Sequence, residues 1–298
     1  MSIGNAIAPQ PAHDFAAAQR RFAALAGRDD GAISDAGRSR FLQHGRATPL
    51  AVVLIHGLTN APQQWVPFAS DLQACGHTVV IPRLPGHGRT DRMTTALAHV
   101  TADAYLETTN EAIDIARGAG ARVVVAGLSI GGAFAAWHAL RRSDVAGALV
   151  IVPLFGLRKW PLAADRALSA LLGALPNAFV PWDPRGDGAQ IPAYGYPRFA
   201  TRSLAATLRI GLDVERASYR LRPHGEVVML LNGREPACEN AVARAIAERL
   251  ARERPAAART IVWPDLPAIH DIVDPTNPKG RTDLVYPRLR AEIEAYVP

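Results

Sequence analysis

The stretch Arg122-Val-Val-Val-Ala-Gly-Leu-Ser-Ile-Gly-Gly132 limits the folds open to this chain more than any other feature. Residues 123–126 are apolar and mostly β-branched, the composition of a strand buried on both faces of a parallel sheet. Gly127-x-Ser129-x-Gly131 follows at once, and residues 133–142 carry a helical pattern. Strand, small-residue turn and helix, in that order, turn G-x-S-x-G from a loose pattern into a nucleophile elbow. The flanking glycines are required because the turn is so tight that a β-carbon at either position would strike the neighbouring strand or helix. The Ser129 hydroxyl is then expected at the top of the sheet, over a helix N-terminus that favours developing negative charge.

The rest of the chain supplies that sheet. Apolar runs at residues 50–56, 78–82, 146–152, 226–231 and 259–263 are short and buried in character, and helical patterns at 62–74, 101–117, 239–253 and 284–297 separate most of them. Thr101 or Asp103 is placed to cap the second of these helices and Gly118 to stop it. The alternation predicts an α/β fold with a mostly parallel central sheet flanked by helices. It pauses between Phe155 and His224, where seven of the 19 aromatics fall within residues 155–199 among many prolines and glycines. A segment so apolar is expected to form a mainly helical cap over the mouth of the sheet rather than a solvated linker. The expected organisation is residues 1–45 as an N-terminal helix and lead-in, 46–154 with 225–298 as the core, and 155–224 as the inserted cap. The helix at 13–26 is expected on the outside or as a partly mobile arm, and residues 38–43 as a short strand.

Composition narrows the partners. No apolar run reaches the roughly 18 to 20 residues of a membrane helix, so no stable membrane insertion is expected. Residues 1–11 lack the basic-then-apolar pattern of a secretory signal, and the two cysteines, Cys75 and Cys238, form neither a disulfide framework nor a metal spacing. A cytoplasmic location is the expectation. The net charge of +6 comes from scattered arginines, with Lys159 and Lys279 the two lysines, so no nucleic-acid stripe is expected.

A serine hydroxyl needs a base, and the base an acid that holds its tautomer. In the order serine, acid, histidine, the base belongs after the last strand, where His270 stands; the other histidines precede the serine or lie on helices and strand approaches. The acid belongs after the 226–231 strand, where Glu235 comes first; Glu239, expected to open the next helix, and Asp265 are the alternatives. Asp271 adjoins His270 too closely to reach its Nδ1 side and is expected to be structural, and Cys238 to be a small packed residue. The oxyanion donors are expected to be the N–H of Ile130 and an N–H in the loop after His56-Gly57, from Leu58 or, next, Thr59.

Ile55-His-Gly-Leu-Thr59, Leu84-Pro-Gly-His-Gly88, Gly127-Leu-Ser-Ile-Gly131 and His270-Asp-Ile-Val-Asp-Pro275 together resemble the carboxylesterase and monoacylglycerol lipase branch of the α/β-hydrolase superfamily. The resemblance runs through motifs from Leu50 to Pro298 and implies a serine hydrolase of carboxylic esters, with a small-molecule ester as partner, a cap shaping an acyl pocket, and no cofactor or metal. The chain departs from the branch at the acid. The branch carries aspartate in a pattern similar to Asn-Asp-x-x-Val-Asp-Asn, where this chain has Arg234-Glu235-Pro-Ala-Cys-Glu239-Asn240. Glutamate serves elsewhere in the superfamily, and its longer side chain requires the loop to sit farther back.

The expected function is therefore hydrolysis of short to medium acyl esters or monoacylglycerols, by a monomer or homodimer. Two rivals stay open: an acyltransferase or peptidase using the same triad, and a catalytically silent binding module, which Glu235 alone favours.

Overall fold

The computed structural model describes residues 7–183, 191–252 and 254–298. The parts of the sequence expectations that fall on residues 1–6, on 184–190 of the cap segment and on Glu253 lie outside the described residues.

In chain order, helix α1 (Phe15–Ala26) is capped by the Asp14 side chain, which accepts from the N–H of Ala17. Strands β1 (Arg40–Leu42) and β2 (Thr48–Ile55) follow, then helix α2 (Val66–Ala74), strand β3 (Thr78–Ile81) and helix α3 (Ala102–Ala119). Strand β4 (Gly120–Leu128), helix α4 (Ile130–Ala139) and strand β5 (Gly147–Ile151) complete the first half. Next come helix α5 (Leu162–Ala174), the short strands β6 (Phe179–Pro181) and β7 (Arg198–Ala200), and helix α6 (Thr201–Ala217). Strand β8 (Glu226–Asn232), helix α7 (Asn240–Ala251), strand β9 (Ala258–Trp263) and helix α8 (Thr282–Glu294) close the chain.

Among the described residues the main sheet has seven strands in the order β1-β3-β2-β4-β5-β8-β9, and β1 pairs antiparallel with β3 while the remaining pairs are parallel. Period-2 alternation splits each central strand between two cores. Ala51, Val53, Ile55, Val123 and Val125 face the core built with α1, α3, α4, α6 and α7; Leu50, Val52, Leu54, Val124 and Ala126 face the core under α2 and α8. Their complete burial is why these strands are aliphatic rather than alternating in sequence.

One local expectation changes. Helix α3 does not stop at Gly118 but runs to Ala119, and Gly118 instead serves the crossing of the N-terminal segment: a β-carbon there would lie 2.5 Å from the carbonyl of Asp14. Helix α1 follows the first of its two expected readings, packed on the outside, with Ala17, Ala18 and Leu25 buried in the core it shares with α3. Between β5 and β8, α6 sends Ala206, Leu208, Ile210 and Val214 into that same core, while β6 and β7 form a separate two-stranded antiparallel ladder. Among the described residues no helix is long and apolar enough to cross a membrane.

Candidate active site

Ser129 stands between the end of β4 and the start of α4 with φ 59°, a left-handed conformation that costs free energy for a residue with a side chain and persists only where its surroundings enforce it. Its N–H donates to the Ile151 carbonyl at 2.9 Å, and its own carbonyl accepts from Leu154 at 3.0 Å, so β5 and the chain beyond it clamp the turn from both sides. The glycines have the reason expected of them. A β-carbon on Gly127 would come 2.3 Å from the Gly131 carbonyl carbon, and one on Gly131 would come 2.3 Å from the carbonyl oxygen of Ile55.

The C-terminal ends of β8 and β9 bring the other two side chains together. Glu235 and His270 meet with Oε1 to Nδ1 at 2.7 Å, Glu235 almost wholly buried and His270 with 29% of its side chain still exposed. The same Oε1 accepts from the backbone N–H groups of Ala237 at 2.8 Å and Cys238 at 3.2 Å, so the longer acid is fixed by its own loop. The strand end also holds the histidine loop directly, since the Asn232 amide donates to the carbonyls of Pro267 and Ile269, each at 2.9 Å. Burial pulls the His270 pKa down, but the Glu235 carboxylate outweighs it and holds the imidazole above the ordinary histidine value. The alternative acids are elsewhere: Glu239 caps α7, accepting from Ala241, and Asp265 pairs with Arg288 at the surface.

Of the two amides expected in the loop after β2, Thr59 donates its N–H to Nε2 of His87 at 3.2 Å. Leu58 lines the same cavity as Ser129 and His270. The Ile130 N–H opens α4, where the first turn has no partner four residues back, and the Ile130 side chain is buried in the core.

Gln64, Asn60 and His87 have no role assigned from the sequence, whereas Trp182 is one of the tryptophans of the 155–224 segment expected either to line an acyl pocket or to be ordinary core. Gln64 accepts from the Gly57 N–H at 2.9 Å through Oε1 and donates from Nε2 to Asp271 Oδ2 at 2.7 Å, and Asn60 donates to the same oxygen at 2.9 Å. Asp271, pushed up to about 6 by burial and by Asp274, thus ties the histidine loop to the loop after β2. His87 lies within a motif quoted above to which no role attached. Trp182, in the segment between β5 and β8, donates from its indole to Thr59 Oγ1 at 2.7 Å.

These groups surround a cavity of about 510 Å³ whose wall includes Leu58, Leu128, Trp182, Ile191 and Pro192 on its apolar side and Asn60, Gln64 and Asp271 on its polar side. Cys238 is buried beside Ser129, and burial followed by the Glu235 charge drives its thiol well above the usual range.

The model of the Alpha/beta hydrolase family matches residues 52–286. A thermostable monoacylglycerol lipase from Bacillus sp. (strain H-257) is 30% identical over 106 residues, which is 36% of this chain and 40% of that protein. The chain thus aligns with about two fifths of the length of this curated relative. Among solved structures, a metagenome-derived lipolytic enzyme superposes with a TM-score of 0.68 at 19% identity over 88% of this chain and 99% of the other. A soluble variant of the monoglyceride lipase of Saccharomyces cerevisiae, in complex with a substrate analogue, gives 0.68 at 13% identity over 88% and 92% of the two chains. The monoacylglycerol lipase of Paleococcus ferrophilus gives 0.67 at 19% identity over 87% and 97%.

Proposed function

Since the chain belongs to the Alpha/beta hydrolase family, we propose that it hydrolyses carboxylic esters through an acyl-enzyme on Ser129. The observation that carries this is that His270, held by Glu235 at 2.7 Å from behind, lines the same cavity as Ser129. With Nδ1–H given to Glu235, the lone pair of His270 is on Nε2, the tautomer a general base requires. Ser129 Oγ adds to the ester carbonyl as His270 takes its proton. The oxyanion accepts from the N–H groups of Leu58 and Ile130, and the alcohol leaves with the proton held by His270. Water, deprotonated by the same nitrogen, then releases the acid. The Glu235 charge stabilises the imidazolium in both halves.

The names of the relatives support monoacylglycerols as substrates, and short to medium acyl esters are the wider class we propose with them. Residues 155–224 act in this scheme as a cap whose Trp182, Ile191 and Pro192 cover the acyl chain, while the alcohol faces the amide-rich wall at Asn60 and Gln64. The test is turnover of p-nitrophenyl butyrate and octanoate, and of a monoacylglycerol, by the wild type and Ser129→Ala. Abolished turnover in the variant is expected; equal rates in the two would overturn the mechanism.

A further inference from the structure

The same corner of the site holds a set of donors that ester hydrolysis does not use together. A carboxylate oxygen of Glu235, Sγ of Cys238 and a ring nitrogen of His270 all lie within 4.8 Å of one another, and among the described residues this is the one cluster of three such groups. Two independent features mark it as more than a crowded corner. Glu235 Oε1 already accepts from Ala237, Cys238 and His270, while Oε2 is buried with no hydrogen-bond partner among the described residues. An orphaned carboxylate oxygen in a residue 3% exposed is a standing cost that a cation would remove. Access exists as well, because His270 and Ala237 line the open cavity.

We propose that Glu235, Cys238 and His270 form an inhibitory site for a borderline-soft divalent cation, of which zinc is the type. Thiolate and imidazole select zinc over magnesium or calcium, which require shells of oxygen. Bonds of about 2.0 to 2.3 Å to a tetrahedral ion bring its ligands roughly 3.3 to 3.8 Å apart, so modest side-chain rotation closes the observed cluster onto the metal. On binding, Cys238 loses its thiol proton to solvent, Glu235 gives a carboxylate lone pair and His270 gives the lone pair of one nitrogen. The fourth position is left to water or the Ser129 hydroxyl beside it. Either nitrogen suffices to stop catalysis: Nε2 on the metal leaves no base for Ser129, and Nδ1 on the metal removes the hold of Glu235. The inhibition follows from the proposed function, whereas the metal site itself does not depend on it.

The test uses the full chain in a Cys75→Ser background, so that Cys238 is the one remaining thiol. After treatment with chelator, cobalt(II) is titrated as an optical stand-in for zinc, and ester turnover is followed in parallel against zinc chloride. The expected result is a near-ultraviolet thiolate-to-cobalt absorption that Cys238→Ser abolishes. Zinc inhibition should be reversed by EDTA, and Cys238→Ser should raise the half-inhibitory concentration at least about tenfold, the lower end of what disturbing a metal shell costs. Absence of the cobalt–thiolate band, or zinc inhibition equal in wild type and Cys238→Ser, would overturn the site. A band with no turnover of any ester would uphold the metal site and reject the hydrolase reading instead.

Discussion

The backbone N–H of Thr59 donates to Nε2 of His87 at 3.2 Å, with both residues buried. His87 gives its Nδ1 proton to the Pro85 carbonyl at 2.9 Å, and burial pushes its pKa down to about 4, so Nε2 carries a lone pair at neutral pH. Thr59 has φ 63°, and its carbonyl accepts from the Tyr196 N–H at 2.8 Å while its hydroxyl accepts from Trp182. This residue is therefore held on three sides, by the Leu84-to-Gly88 motif and by the segment above the cavity. One consequence is that the Thr59 amide is engaged, which leaves Leu58, on the cavity wall, as the oxyanion donor of the proposed mechanism.

If Leu58 donates to the oxyanion, His87→Ala should act on chemistry more than on binding. Loss of a whole donor costs about 10²- to 10³-fold in kcat, so a displaced one should cost about 10- to 100-fold. KM should change little, and His87→Gln, which keeps an acceptor, should recover part of the loss. Steady-state kinetics on a p-nitrophenyl ester separate the two parameters; a change confined to KM would argue against this role.

Glu235→Gln should lower kcat/KM by about 10⁴-fold, the scale set by loss of the orienting acid in such a triad. The acid limb of the pH profile gives a second signature. Glu235 holds the His270 pKa above its ordinary 6.5, so if His270 is the base, activity should appear only above that raised value. Removing the charge should move the acid limb to lower pH even as the plateau falls. Glu235→Asp should be poorly active too, because the carboxylate contacts to Ala237, Cys238 and His270 are set for the longer side chain.

The backbone of this site was legible in the sequence because its parts are local. Gly127 and Gly131 stand together in one five-residue motif, although the approach Gly131 permits is to the distant Ile55, and strand order fixes where an acid and a histidine are to be sought. The bridge from Gln64 and Asn60 to Asp271 was not legible, since its partners are separated by 207 and 211 positions and nothing in an amide side chain announces such a distant acceptor. The role of Leu84-Pro-Gly-His-Gly88 was hidden for the same reason: His87 acts through a backbone N–H, which any residue at position 59 other than proline would offer. Asp271 was expected to be structural from its adjacency to His270, and its carboxylate indeed turns away, to Asn60 and Gln64. The wall at Trp182 and Ile191 comes from irregular backbone, which has no periodicity to recognise.

A buried charge cluster should govern the stability of the helix behind Ser129. Arg142, just after α4 and 2% exposed, bonds Asp114 at 2.7 Å, Asp144 at 2.7 and 2.9 Å, and the Asn110 side chain at 2.6 Å. Arg142→Ala would leave the Asp114 carboxylate with much of its charge uncompensated, and breaking a buried pair from one side costs about 3–5 kcal/mol. Urea unfolding should register that loss, with residual activity at low temperature preserved because no contact to the cavity changes. A loss under about 1 kcal/mol would mean that water replaces the guanidinium.

Acid stability should be set by histidines that are buried neutral. His56, His87 and His138 all have lowered pKa values, with burial the leading cause in each case and His87 pushed to about 4. Unfolding returns them to ordinary values near 6.5, so between the two limits the unfolded chain binds more protons and stability rises with pH. The stabilisation is complete above about pH 6.5 and is lost as pH falls toward and through the folded values. Asp271 works in the opposite sense: raised to about 6 in the fold, it takes up a proton there before the unfolded chain does, and so gains stability as pH falls from 6 toward 3.8. His77, also lowered, adds to the histidine slope, while Asp165 and His270, both raised, act with Asp271; the positive slope expected for the whole chain rests on the fully buried histidines having the largest shifts. From about pH 7 to about pH 4.5, His87 alone should remove roughly 2 to 3 kcal/mol from the urea-derived unfolding free energy. His138→Asn, which removes a titrating group held between Thr109 and the Arg141–Arg142 charges, should flatten that slope even if it lowers stability at pH 7. A wild-type unfolding free energy that is flat or increasing on acidification through this window would show that these imidazoles do not stay neutral in the fold.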